Sequence, residues 1–236
     1  MTPAAFALLT LSSVLATPVS AAPPGELVRL EVPGHGAATL VAPTQTPAPL
    51  IVVIHGSWDR PEWICEMVDR AVLGRAWVLC LRGVPRAETP PDGPRWTVGT
   101  LAQSLAELDA AERALRGREG AKVTAGVGAL AGFSKGAWHA ASLVLANPAR
   151  FQRVLLTEGG IAEFTSKRLR RLSAAGVRVA FACGTPGCER AARARCPVDT
   201  AACRRRFDPR FGHSYNPPWE ESGSPLLTWL ADLSPP

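Results

Sequence analysis

Residues 129–137 read Ala-Leu-Ala-Gly-Phe-Ser-Lys-Gly-Ala: an apolar run, then G-x-S-x-G, then small residues of helical character. A serine between two glycines at a strand-to-helix turn is the arrangement that exposes a hydroxyl for attack on a carbonyl. Gly132 and Gly136 lack a Cβ, so strand and helix can close on one another, and the following helix puts its positive end near the Ser134 hydroxyl. That hydroxyl is a weak nucleophile alone. The chemistry therefore needs a base to take its proton, a carboxylate to orient the base, and N–H groups to bind the developing oxyanion. The chain offers four histidines, His35, His55, His139 and His213.

Positioning such groups requires a frame. Residues 50–54 (Leu-Ile-Val-Val-Ile) form a continuous, largely β-branched run that suits a central parallel strand buried on both faces. Residues 26–32 and 37–41 read as a strand pair around a Pro-Gly-His-Gly turn, and further strands fall at 77–81, 126–132, 153–157, 177–183 and, most weakly, 204–208. Helices are predicted over 60–75, 101–116, 135–145, 164–174, 188–195 and beyond Pro225. Residues 82–98 hold four prolines and Trp96 and read as a long loop. Strands alternating with helices imply an α/β fold with a mostly parallel sheet covered on both faces. Such sheets place their sites at the carboxyl ends of the strands, where His55-Gly56, Ser134 and Glu158 fall, with His213 after the last strand.

Composition sets bounds. The chain has 236 residues, 47% hydrophobic and 19% charged, which suits one well-buried domain over 23–236. Residues 1–22 carry no charged side chain, and an apolar core is followed by small residues at Val19, Ala21 and Ala22. They read as a secretory signal peptide, too short to span a bilayer. Six cysteines, Cys65, Cys80, Cys183, Cys188, Cys196 and Cys203, fit an exported, periplasmic or secreted chain. Cys65 and Cys80 stand apart and are expected to pair. The other four are expected to form two bridges, whose three connectivities the sequence leaves open. No tight C-x-x-C pair argues for zinc. The net charge of +6 concentrates at Lys167, Arg168, Arg170 and Arg171 and at Arg204, Arg205 and Arg206. No aromatic residues interleave with the basic groups and no nucleic-acid motif is present, so these read as a solvated basic surface.

The order of these parts resembles the α/β-hydrolase fold, and within it the small dienelactone hydrolase, carboxylesterase and polyhydroxybutyrate-depolymerase-like group. The resemblance is carried by I-V-V-I-H-G at 51–56, G-F-S-K-G at 132–136, F-A-C-G-T at 181–185 and G-H-S-Y at 212–215, and it spans roughly residues 48–233. It implies a serine hydrolase acting on a small-molecule ester, with Ser134 as nucleophile and His213 as base. The N–H of Lys135, with that of Ser57 or Trp58, would form the oxyanion hole. The Lys135 side chain is expected to point to solvent. The resemblance requires neither metal nor organic cofactor. The acid departs from the pattern. The group usually has Asp in the loop after the strand at 177–183, which here reads C-G-T-P-G-C-E. Glu158, in T-E-G-G one strand earlier, is the preferred acid and Glu189 the second choice, with Asp199 and Asp208 as outsiders. Trp58, Trp63, Trp96 and Trp219 fall near the same edge and could line a pocket. The missing Asp keeps a rival open, a non-catalytic binding protein on the same fold. A weaker rival is a disulfide-exchange protein using Cys183 and Cys188.

Overall fold

A computed structural model describes residues 25–214 and 225–233. The proposed signal segment, Tyr215 and Trp219 lie outside these residues. In chain order the elements are β1 (Leu27–Leu30), β2 (Ala38–Val41), β3 (Leu50–Ile54), α1 (Pro61–Val72), β4 (Trp77–Cys80), β5 (Val84–Pro85), β6 (Trp96–Thr97), α2 (Leu101–Glu119), β7 (Val127–Phe133), α3 (Lys135–Ala146), β8 (Phe151–Thr157), α4 (Ser166–Ala174), β9 (Arg178–Cys183), α5 (Pro186–Arg195) and β10 (Cys203–Phe207). A last helix, α6, covers 225–231.

Eight strands form one sheet in the order β1-β2-β4-β3-β7-β8-β9-β10. The β1–β2 and β2–β4 pairs are antiparallel, and every pair from β4–β3 to β9–β10 is parallel. Every residue of β3 and β7 is buried, as the unbroken apolar runs require for strands covered on both faces. Alternate side chains feed two cores. Leu50, Val52 and Ile54 join residues of α2 and α3 on one face, and Ile51 and Val53 join α1 and α6 on the other. The chain goes from β3 outward to β4, then returns to place β7 on the other side of β3. The carboxyl ends of β3 and β7 therefore flank the point where strand order reverses, which is where open α/β sheets leave a crevice.

Most element ends shift by one to three residues from the sequence reading, and two differences bear on the site. The long loop contains a short antiparallel ribbon, with Val84 opposite Thr97 and Pro85 opposite Trp96. Two-residue strands carry no alternation to read. The pairing is fixed by tertiary contact, since Asp59 and Trp96 exchange two backbone hydrogen bonds of 3.0 and 2.8 Å. Helix α5 begins at Pro186 rather than Cys188, because Thr185 caps it by accepting from the Cys188 N–H and Pro186 fills its first turn.

Candidate active site

Ser134 sits between β7 and α3 with φ 52° and ψ −118°, a left-handed conformation that costs a non-glycine residue roughly 1–3 kcal/mol. Close packing over-determines it. A Cβ on Gly132 would lie 2.5 Å from the Gly136 carbonyl oxygen and 2.6 Å from the Ala137 Cα, and a Cβ on Gly136 would strike the carbonyls of Ile54 and His55. Both glycines are there because backbone passes where a side chain would be. The Ser134 N–H donates to the Thr157 carbonyl (2.8 Å), which ties the turn to the end of β8.

The structure brings Ser134, His213 and Glu158 together. Ser134 Oγ lies 2.9 Å from His213 Nε2, and His213 Nδ1 lies 3.2 Å from Glu158 Oε2. An ionised carboxylate only accepts, so Nδ1 carries a proton and Nε2 is left to accept from the serine. Glu158 also has positive φ (54°), and it is buried. Its N–H donates to the Ala182 carbonyl (3.0 Å), and its side chain reaches across to the turn after β9. There Oε1 accepts from the N–H groups of Gly184 (2.5 Å) and Thr185 (2.9 Å), and Oε2 accepts from Thr185 Oγ1 (2.9 Å). Sequence reasoning missed this cradle. Its signal was present in the Thr-Pro pair, which marks a helix N-terminus whose first N–H groups need an acceptor. The loop after β9, which has no Asp, carries hydrogen-bond donors to Glu158 instead.

The turn after β3 supplies the opposite wall. Asp59 is buried, and its Oδ2 accepts from the Gly56 N–H (3.3 Å) while Oδ1 accepts from Arg60 (2.7 Å). The ring of buried His55 is held between the carbonyls of Gly56 (2.6 Å) and Arg82 (2.9 Å). The N–H groups of Ser57, Trp58 and Lys135 make no hydrogen bond among the described residues. A cleft of about 440 Å³ opens beside His213 and is lined by Ser57, Trp58, Trp63, Met67 and Phe133. Trp58 and Trp63 are 43% and 41% exposed. Arginines brace both: Arg86 lies 4.5 Å from the Trp58 ring centre, and Arg95 and Arg60 lie 4.7 and 5.0 Å from that of Trp63. Trp96 is held back under Arg82 and does not line the cleft.

The remaining expectations divide. Glu189 does not reach His213. It is bound to Arg193 (2.7 Å) and Arg205 (3.3 Å), and the Arg193 hydrogen bond holds its carboxyl below the usual range. Asp199 accepts from the Arg205 N–H, and Asp208 caps a short turn and pairs with Arg210. His35 lies exposed in its turn, and His139 is buried on Ser104 (2.9 Å). The Lys135 amine does not simply point to solvent. It donates to the Val98 carbonyl (2.7 Å), because the loop before α2 passes within its reach. The six cysteines pair as Cys65–Cys80, Cys183–Cys188 and Cys196–Cys203. One group of metal-capable side chains occurs among the described residues, Glu158 with Cys183 and Cys188. Its sulfurs are bonded to each other and its carboxylate is taken by four hydrogen bonds, so these atoms are not free to ligate.

No protein-family model and no curated protein matches the chain. Solved structures do. Est1E from Butyrivibrio proteoclasticus superposes with a TM-score of 0.58 at 13% identity, over 86% of this chain and 96% of its own. Dienelactone hydrolase from Anabaena variabilis gives 0.56 at 14% identity, over 87% and 95%. The Bacillus cereus carboxylesterase gives 0.53 at 16% identity, over 82% and 93%. Sequence identity this low makes the likeness one of architecture, and together with the sheet order and the sharp turn at Ser134 it establishes that the chain has the α/β-hydrolase fold.

Proposed function

We propose that this protein is an exported serine hydrolase that cleaves a carboxylic ester through an acyl-enzyme on Ser134. The observation that carries the reading is the unbroken relay from Ser134 through His213 to Glu158, at hydrogen-bond distances of 2.9 and 3.2 Å. In the reaction Ser134 Oγ attacks the ester carbonyl carbon while His213 Nε2 takes its proton. Glu158 orients the ring and stabilises the imidazolium. The N–H of Lys135, with that of Ser57 or Trp58, receives the charge that develops on the carbonyl oxygen. Each such donor typically contributes about 3–4 kcal/mol to the transition state. Collapse expels the alcohol, protonated by His213, and a water activated by the same histidine then releases the acid. The cleft sets an apolar wall of Trp58, Trp63, Met67 and Phe133 beside Glu66 and Arg70, which suits an ester with an apolar acyl or alkoxy group and room for a polar substituent. The likeness in fold to a carboxylesterase and a dienelactone hydrolase favours ester substrates. Three disulfides and the apolar N-terminal segment favour export, and among the described residues no helix is long and apolar enough to cross a membrane. A non-catalytic binding protein is the rival that the missing Asp after β9 favours; the contact of Glu158 with His213 supports the catalytic reading over it.

The test is covalent labelling of the mature protein with a fluorophosphonate. Wild type is expected to label on Ser134 and to hydrolyse 4-nitrophenyl acetate, and Ser134→Ala is expected to lose both. A well-folded wild type that takes no label would rule out the serine-hydrolase reading.

A further inference from the structure

The turn that holds Glu158 is closed by a covalent bond. Cys183 is the last residue of β9 and Cys188 lies in the first turn of α5, five residues on, so their bridge spans Gly184-Thr185-Pro186-Gly187. Three hydrogen-bond donors in that turn grip both oxygens of the Glu158 carboxylate. The same turn also touches the segment carrying the base. A Cβ on Gly184 would strike the Gly212 carbonyl and the Phe211 ring, and Gly212 directly precedes His213. One short loop therefore sets the position of two members of the relay. Of the three disulfides it closes the smallest ring, with separations of 5, 7 and 15 residues, so it removes the least entropy from the unfolded chain. Its place at the acid is better matched to local geometry than to global stability.

We infer that the Cys183–Cys188 bridge and Thr185 are positioning elements for Glu158 and His213, and that hydrolysis at Ser134 is switched down when this bridge is reduced. The inference rests on the serine-hydrolase reading. The reductive step is ordinary thiol–disulfide exchange. A dithiol such as dithiothreitol supplies two electrons, the Cys183–Cys188 bond is replaced by two thiols, and the reagent leaves as its cyclic disulfide. Without the cross-link the 184–187 turn is free to widen. The Gly184 and Thr185 donors then leave the carboxylate, and an unsupported carboxylate no longer orients His213. Misplacement of about 1 Å in such a relay is enough to lower the rate by one to two orders of magnitude.

The experiment compares the oxidised full mature chain with Cys183→Ser/Cys188→Ser, Cys196→Ser/Cys203→Ser, Thr185→Val and Thr185→Ser. The readouts are kcat and KM on 4-nitrophenyl acetate, the rate of fluorophosphonate labelling, and the melting temperature. The 183/188 pair is expected to lose about tenfold or more in kcat with KM within about twofold, and Cys196→Ser/Cys203→Ser to lose melting temperature without that fall in kcat. Thr185→Val should also lower kcat, and Thr185→Ser, which keeps the hydroxyl, should restore it. Dithiothreitol should slow labelling of wild type and of the 196/203 variant, and should not slow the 183/188 variant further. Full kcat in the 183/188 variant, or a fall in kcat that merely follows melting temperature across all variants, would overturn the inference and leave the serine-hydrolase reading standing. If the 183/188 variant fails to fold, the dithiothreitol response and the Thr185 pair decide the matter alone. Absence of label on the oxidised wild type would overturn both.

Discussion

Glu158 and Glu189 show how far residue type alone can go. Both follow or adjoin a strand end, and the sequence offers both as partners for His213. The structure separates them by their neighbours: Glu158 is surrounded by N–H and O–H donors and meets His213 at 3.2 Å, while Glu189 is paired with Arg193 and Arg205. Part of this was legible, because Glu189 and Arg193 are four apart on one helix and such pairs face each other. The Glu158 cradle was not, since its donors lie 26 and 27 residues away in sequence. Ser134 and His213 could be picked out because local motifs mark them. Substitution reads the difference directly. Glu158→Gln is expected to lower kcat by about a thousandfold or more with little change in KM. Glu189→Gln should leave kcat unchanged and cost only a small drop in melting temperature. Equal kcat values for the two variants would contradict the assignment of Glu158 as the acid.

At the level of elements, periodicity located the strands of the large sheet and missed the two-residue ribbon of β5 and β6, which is too short to show alternation and is also joined to Asp59 through Trp96. It also left the contact between α2 and α3 unread. There Ser104 of α2 meets His139 in the interior at 2.9 Å, and His139 lies on the helix that follows Ser134. Burial, and secondarily the Lys135 cation, hold the His139 ring below its ordinary pKa of 6.5. The folded protein therefore binds fewer protons at this site than the unfolded chain does. The stability that His139 contributes is fully present above about pH 6.5 and is lost as pH falls below it. Asp69 in α1, raised by burial, acts in the opposite sense and within the carboxylate range, so the two are separable. Urea midpoints measured between about pH 7 and 5.5 should fall with pH in wild type and flatten in His139→Gln. An identical slope in both proteins would assign the dependence to another group.

For the whole molecule, the sheet has two edge strands, β1 and β10, and the second is the basic one. Among the described residues β10 pairs only with β9, and its sequence is Cys-Arg-Arg-Arg-Phe. A row of arginines on an edge strand opposes pairing with a second copy through charge repulsion and the loss of solvation that pairing would impose. The basic run that reads from sequence as a solvated surface has this definite place in the fold. Arg205 is also tied to Glu189 and to the Cys196 carbonyl, so Arg204 and Arg206 are the ones to change. Arg204→Thr/Arg206→Thr is expected to raise the apparent mass in size-exclusion chromatography with light scattering as concentration increases. A monomeric profile at all concentrations would show that the edge is protected otherwise. The disulfide pattern has a consequence for how such a chain is made. Each cysteine is joined to the next one along the polypeptide: 65 with 80, 183 with 188, 196 with 203. A chain that emerges N-terminus first into an oxidising space therefore meets each correct partner before any wrong one, and its native bonds can form in order of emergence without an isomerase to reshuffle them.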